Sequence, residues 1–109
     1  MSELDKLEEY LKGKGIKYKR FDVHKEWESE ELKGLTFVMD RHQICVPDEG
    51  KELEWDAICH EGSYGYEEGL LEIYGTIVGK GEHDVEGFLT ADDVIKRIEQ
   101  NEIHKQQKM

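Results

Sequence analysis

Positive charge, cysteine, proline and long apolar runs are all scarce in this chain. No stretch approaches the roughly 18 apolar residues of a membrane span, and the opening MSELDKLEEY has neither the basic nor the apolar region of a secretion signal. A soluble, cytoplasmic protein with no membrane partner is therefore expected. Two cysteines without a secretion signal are expected as free thiols. Basic residues are rarest in the middle: residues 48–93 hold fourteen acids against two lysines, a local −12, whereas residues 1–20 and 94–109 each come to +2 in a chain of net charge −11. Phosphate binding depends on clustered Lys and Arg, so direct binding of nucleic acid or of an anionic membrane is not expected. A basic protein partner, a cation, or solubility alone remain as uses for the acids.

The 109 residues suffice for one domain, 1–109, and not for two. Such a chain buries roughly 60 to 70% of its unfolded surface, enough for a single core but not for a deep cavity. Ser2 with Asp5 reads as an N-cap with an acid at the third helical position, followed by Leu4, Leu7 and Leu11 at helical spacing, and Gly13 and Gly15 end that helix. From Ile16 the alternation in IKYKRFDV predicts a solvent-facing strand with an irregularity near Arg20. The charged HKEWESEELKG predicts a short helix or a loop. LTFVMDRHQICVP reads as one strand or two, closed by Pro47, and RHQICVP with EWDAICH as an antiparallel hairpin, 41–47 with 54–61.

The stretch from Trp55 to Val78 holds one of the two tryptophans, one of the two cysteines and four of the eleven glycines. Within it GSYG predicts a turn into a helix over 66–78, because Leu70, Ile73, Tyr74 and Ile77 recur at i, i+3, i+4 and i+7, with Gly75 as the weak point. GKGEHD reads as an acidic linker. Thr90 and Asp93 then cap a last helix whose buried stripe is Val94, Ile95 and Ile98, with Leu89 stapled onto Val94. Residues 99–109 read as a frayed tail. The expectation is an α+β domain in two layers: an N-terminal helix, a small antiparallel sheet of about three strands, and two C-terminal helices.

Three places have residue types that could support chemistry. His42, Cys45, Cys59 and His60 are zinc-type ligands, but adjacent strand residues point to opposite faces, so neither His42 with Cys45 nor Cys59 with His60 converges on a regular strand. The same alternation discourages a Cys59/His60 nucleophile and base. Gly62-Ser63-Tyr64-Gly65 lies where a serine nucleophile or phosphate cradle could form, yet it has neither the Gly-x-Ser-x-Gly spacing nor a nucleotide-loop lysine or GxGxxG. A turn in which Ser63 caps a helix is expected there, and no cofactor. Tyr64, Tyr66 and Tyr74 belong to the core or to a small aromatic surface for a partner. Residues 82–93 place Glu82, Asp84, Glu86 and Asp93 at positions 1, 3, 5 and 12 of a calcium-type loop, with Gly87 at 6. The first position has Glu for Asp and the last Asp for the bidentate Glu, which leaves a poor cage beside the plainer reading of an acidic linker and helix cap. Paired carboxylates such as Glu67/Glu68 are too common here to single out an acid and a base.

RHQICVP, WDAICHEGSYGYEEGLLEIYG and VEGFLTADDVIKRI together resemble a group of short uncharacterised proteins encoded by phages and prophages of Gram-positive bacteria. The resemblance runs from about Arg41 to Ile98. It implies context only, a small accessory protein acting inside a bacterial host, and no cofactor or catalytic residue. The expectation is a non-enzymatic acidic interaction protein that docks on a basic protein, with imitation of nucleic acid by its carboxylates as a variant. One alternative is a metal- or thiol-dependent protein using the Cys/His hairpin or the 82–93 loop. Another is a structural or assembly subunit.

Overall fold

A computed structural model describes residues 1–78 and 85–107, with side chains to Ile103. Helix α1, Glu3–Gly13, begins as its sequence requires: the Asp5 amide donates to Ser2 Oγ at 3.1 Å and the Ser2 amide to Asp5 Oδ2 at 3.1 Å. Five strands follow, β1 Lys19–Glu28, β2 Thr36–Val46, β3 Trp55–His60, β4 Leu71–Gly75 and β5 Val85–Leu89, and then helix α2, Ala91–Gln107. The strands form one antiparallel sheet in the order β1-β2-β3-β4-β5. The fold is thus α+β.

The core lies between the helices and one face of the sheet. Alternation puts Ile44, Val46, Trp55, Ala57, Leu71 and Ile73 on that face, where they pack with Leu4, Leu7 and Leu11 of α1 and with Ala91, Val94 and Ile98 of α2. Leu7, Leu11, Ile44, Leu71, Ile73 and Val94 are fully buried, and each contributes roughly 1.5–3 kcal/mol of transfer free energy. Among the described residues no helix covers the opposite face of the sheet. Phe37 and Tyr74 lie exposed there.

Several sequence expectations are corrected. Among the described residues the sheet has five strands, not about three. The predicted helix over 66–78 is absent: a single 3-10 turn, Tyr66–Glu68, leads into β4. Gly69 and Gly75 both have positive φ, 71° and 108°, which no α-helix can include, and Leu71 and Ile73 are buried at strand spacing. Only one C-terminal helix therefore exists among the described residues, and it continues through 99–107, where a tail was expected. No irregularity interrupts β1 at Arg20, since its register with β2 is continuous from Lys19 to Glu28. The charged segment 24–28 extends β1 instead of forming a helix, and 36–46 is one strand. The expected hairpin is present, with Arg41 opposite His60 and Val46 opposite Trp55.

Candidate functional site

Register decides which polar residues meet. The β1–β2 pairing sets Asp22 opposite His42 and His24 opposite Asp40, and alternation places all four on the helix side, just beyond Ile44 where the apolar core stops. His42 Nδ1 lies 2.7 Å from Asp22 Oδ1, and its Nε2 2.9 Å from Asp40 Oδ1. The same Asp40 oxygen lies 3.0 Å from His24 Nδ1. Tyr66 donates its hydroxyl to Asp40 Oδ2 at 2.8 Å. At the inner end Arg20 bridges Asp22, Glu8 and Asp5 at 2.9–3.1 Å. A cleft of about 300 Å³ opens beside this chain of contacts, between it and the start of α1, lined by Ser2, Asp5, Arg20, Asp22, His42 and Cys59 among others.

The electrostatics follow from the pairing. Hydrogen bonds from His24, Tyr66 and His42 hold Asp40 down to about 2. Asp22, aided by Asp40, raises His42, so its ring favours the imidazolium form that donates from both nitrogens. Asp40 and then Glu26 raise His24 in the same sense. Tyr66 is pushed up to about 12 by the carboxylate it bonds.

This arrangement suits structure better than catalysis. Cys59 sits opposite His42 across the β2–β3 pair, but burial pushes its thiol up, away from the thiolate a nucleophile needs. His42 already directs both nitrogens to carboxylates and has no free lone pair to act as a base. Of the four zinc-type residues, His42 and Cys59 share the helix side, whereas Cys45 and His60 lie on the other face. Among the described residues no group of three or more His, Cys, Asp or Glu side chains is placed to hold a metal ion. Glu82 and Asp84 of the calcium-type loop lie outside the described residues. Its remaining acids have other partners: Glu86 accepts from Arg97 at 3.0–3.3 Å, and Asp93 accepts the Thr90 amide at 3.0 Å as the α2 cap.

A second arrangement stands at the end of the sheet, where the 61–70 turn meets β5. Ser63 does not cap an α-helix there; it closes the turn back on His60, donating to the His60 carbonyl at 2.8 Å and accepting the His60 amide at 3.0 Å. The turn thrusts Tyr64 outward, 62% exposed, beside Phe88, 58% exposed, with ring centroids 6.3 Å apart. Phe88 has φ of 58°, a left-handed conformation that costs a bulky residue about 1–3 kcal/mol. The surroundings hold it there. Its amide donates to the Tyr64 carbonyl at 3.2 Å, and the β4–β5 register shifts between Leu71 and Ile73. Gly87 lies directly under Tyr64, where a Cβ would collide with the tyrosine Cβ. Glu61, Glu67 and Glu68 are exposed on the same turn.

The three tyrosines considered together from sequence are thus separated: Tyr64 pairs with Phe88, Tyr66 bonds Asp40, and Tyr74 lies on the sheet face opposite α1 and α2. Asp22, His24, Asp40 and Phe88 were missed. The period-2 spacing of Asp22-x-His24 and Asp40-x-His42 was the available signal for the first three. No protein-family model, no curated protein and no solved structure matches the chain.

Proposed function

We propose that the protein is a non-enzymatic accessory protein that docks on a basic protein partner, and that Tyr64 and Phe88 with the acids of the 61–70 turn are the docking surface. The observation that carries the reading is the exposed aromatic pair built on strained backbone. Solvating two aromatic rings at a cost in backbone strain is explained if a partner covers them. An Arg or Lys side chain stacks on such rings, and Glu67 and Glu68 give it counter-charge, in line with the −12 of residues 48–93. The setting we propose is the interior of a bacterial host, as the phage-protein resemblance implies. A partner that ordinarily grips phosphate would suit the same acids.

A tagged protein incubated with lysate of a Gram-positive host and washed with rising salt tests this. The expected result is a basic partner, identified by mass spectrometry, released between about 0.1 and 1 M salt as its ion pairs are screened. It should be lost with Glu67→Lys plus Glu68→Lys, and weakened at least about tenfold by Tyr64→Ala, as for a hot-spot aromatic. A partner that binds all three forms equally would remove this surface from consideration.

A further inference from the structure

β1 is an edge strand of ten residues. Which of its backbone groups face outward follows from the hairpin turn. The Ser29 amide donates across the hairpin to the Leu35 carbonyl at 3.0 Å, so odd-numbered residues of β1 bond β2. The N–H and C=O of Arg20, Asp22, His24, Glu26 and Glu28 therefore point away from the sheet. The parity is consistent on β2, where the even-numbered Asp40 and Val46 carbonyls accept from Glu61 and Glu54 on the β3 side. Edge strands are usually blunted by charged side chains, proline, a bulge or short length. This one is charged, but it has no proline and no register break, and the backbone groups of five residues face outward with no partner among the described residues.

A strand of this kind can pair with its own copy about a two-fold axis. Because the same alternate residues face outward in both copies, only registers centred on a residue are allowed. We infer that two copies of the chain join β1 to β1, antiparallel, with Val23 facing Val23 at the axis. On the helix side Arg20 then faces Glu26 of the second copy, and Asp22 faces its His24. On the other face Lys25 lies across Phe21 of the second copy, and Lys19 across its Trp27. Charges meet opposite charges, and cations meet aromatic rings.

The neighbouring registers fail this test. Centring on Asp22 sets that carboxylate against its own copy and Lys19 against Lys25. Centring on His24 sets Asp22 against Glu26 and His24 against itself. The chosen register adds about eight ladder hydrogen bonds. It also covers Val23 and Trp27, 36% and 48% exposed in the single chain. The pairing leaves Tyr64 and Phe88, at the far side of the sheet, free for another protein.

Sedimentation of the full chain across about 1–200 µM, with Cys substitutions at the edge, tests this pairing. The expected mass is twice 12.8 kDa at the upper end. In the proposed register Val23 forms a non-hydrogen-bonded pair with a Cα separation of about 4.5 Å, within disulfide range. Val23→Cys should therefore cross-link under mild oxidation, while Lys25→Cys, about 13 Å from its own copy, should not. The unsubstituted chain, with its own Cys45 and Cys59, serves as the blank. Glu26→Arg, at an exposed position, should raise the dimer dissociation constant at least about tenfold by setting two cations together, with an unchanged circular dichroism spectrum. A monomer throughout the range would overturn the inference. So would a dimer that cross-links equally at residues 23 and 25 or ignores Glu26→Arg.

Discussion

Replacing Asp40 by Asn tests the polar chain on the helix side of the sheet, and its effect should depend on pH. Asp40 accepts from His42 at 2.9 Å, from His24 at 3.0 Å and from Tyr66 at 2.8 Å, with a side chain 22% exposed. His42 and Tyr66 are half-buried, and each bond to a charged acceptor contributes about 1 kcal/mol once rim solvent has screened it. His24 is too exposed to add a resolvable amount. The carboxylate is therefore worth about 2 kcal/mol when both partners are in their donating forms. The raised pKa of His42 means that its share is complete below its unfolded value of about 6.5 and fades as pH rises through the higher folded value. Asp40, held at about 2, contributes above its unfolded value of about 3.9 and loses that contribution as pH falls toward 2. Both conditions hold between about pH 4 and 6.5. As pH rises toward 9 the share of His42 fades while Tyr66, at about 12, keeps its proton, so the loss should shrink toward about 1 kcal/mol. Urea unfolding of the parent and Asp40→Asn at about pH 5.5 and 9, read by the fluorescence of buried Trp55, measures both values. An equal loss at the two pH values, or less than about 0.5 kcal/mol at the lower, would refute the account.

Two further substitutions separate backbone strain from packing and test the cap of α2. Gly75→Ala should cost about 3 kcal/mol or more, because φ of 108° is unfavourable and the new Cβ would lie 2.8 Å from Trp55 Cα. Gly69→Ala, with φ of 71° and open space around it, should cost only about 1 kcal/mol, and equal losses in thermal melts would show that the clash is relieved by movement of β3. Thr90→Ala removes the hydroxyl that accepts the Asp93 amide at 3.2 Å and should cost about 1 kcal/mol by urea unfolding, whereas Asp92→Ala, at a residue that takes no part in the cap, should change stability by no more than about a few tenths of a kcal/mol.

Local rules carried some elements and failed at others for identifiable reasons. Both helix starts could be read because a capping box is a short-range device: Ser2 with Asp5 and Thr90 with Asp93 form the bonds their spacing predicts. The segment after Tyr66 misled because Leu70, Ile73, Tyr74 and Ile77 fit a helix while Leu71 and Ile73 fit a strand. Pairing with β3 favours the strand, and the two positive-φ glycines enforce it. Segment 24–28 gave no signal, since a strand exposed on both faces has no hydrophobic alternation to read. The alternation argument did separate Cys59 from His60, because it needs only two adjacent residues. The Asp22–His42 and His24–Asp40 contacts lay beyond such reasoning. They join positions 20 and 16 residues apart, through a register that a one-residue slip would abolish.

The two candidate surfaces differ in how their polar and apolar groups are satisfied, and that difference favours binding over chemistry. In the cleft Arg20, Asp22 and His42 are already hydrogen-bonded to one another or to α1, so a substrate would have to displace charge-assisted bonds before meeting a reactive group. Cys59 offers only a thiol raised by burial. On the 61–70 turn and β5, Tyr64 and Phe88 have their backbones fixed and their rings in water. A docking surface profits from that state, because rigid rings lose little conformational freedom when a partner covers them. The glycines at 65 and 87 are what permit it, since a side chain at either would press on Phe88 or Tyr64. Gly87→Ala should therefore weaken partner binding through displacement of the tyrosine even though it changes no group that touches the partner. Retained affinity together with a shifted Tyr64 environment would show that the ring's position is not what the partner reads.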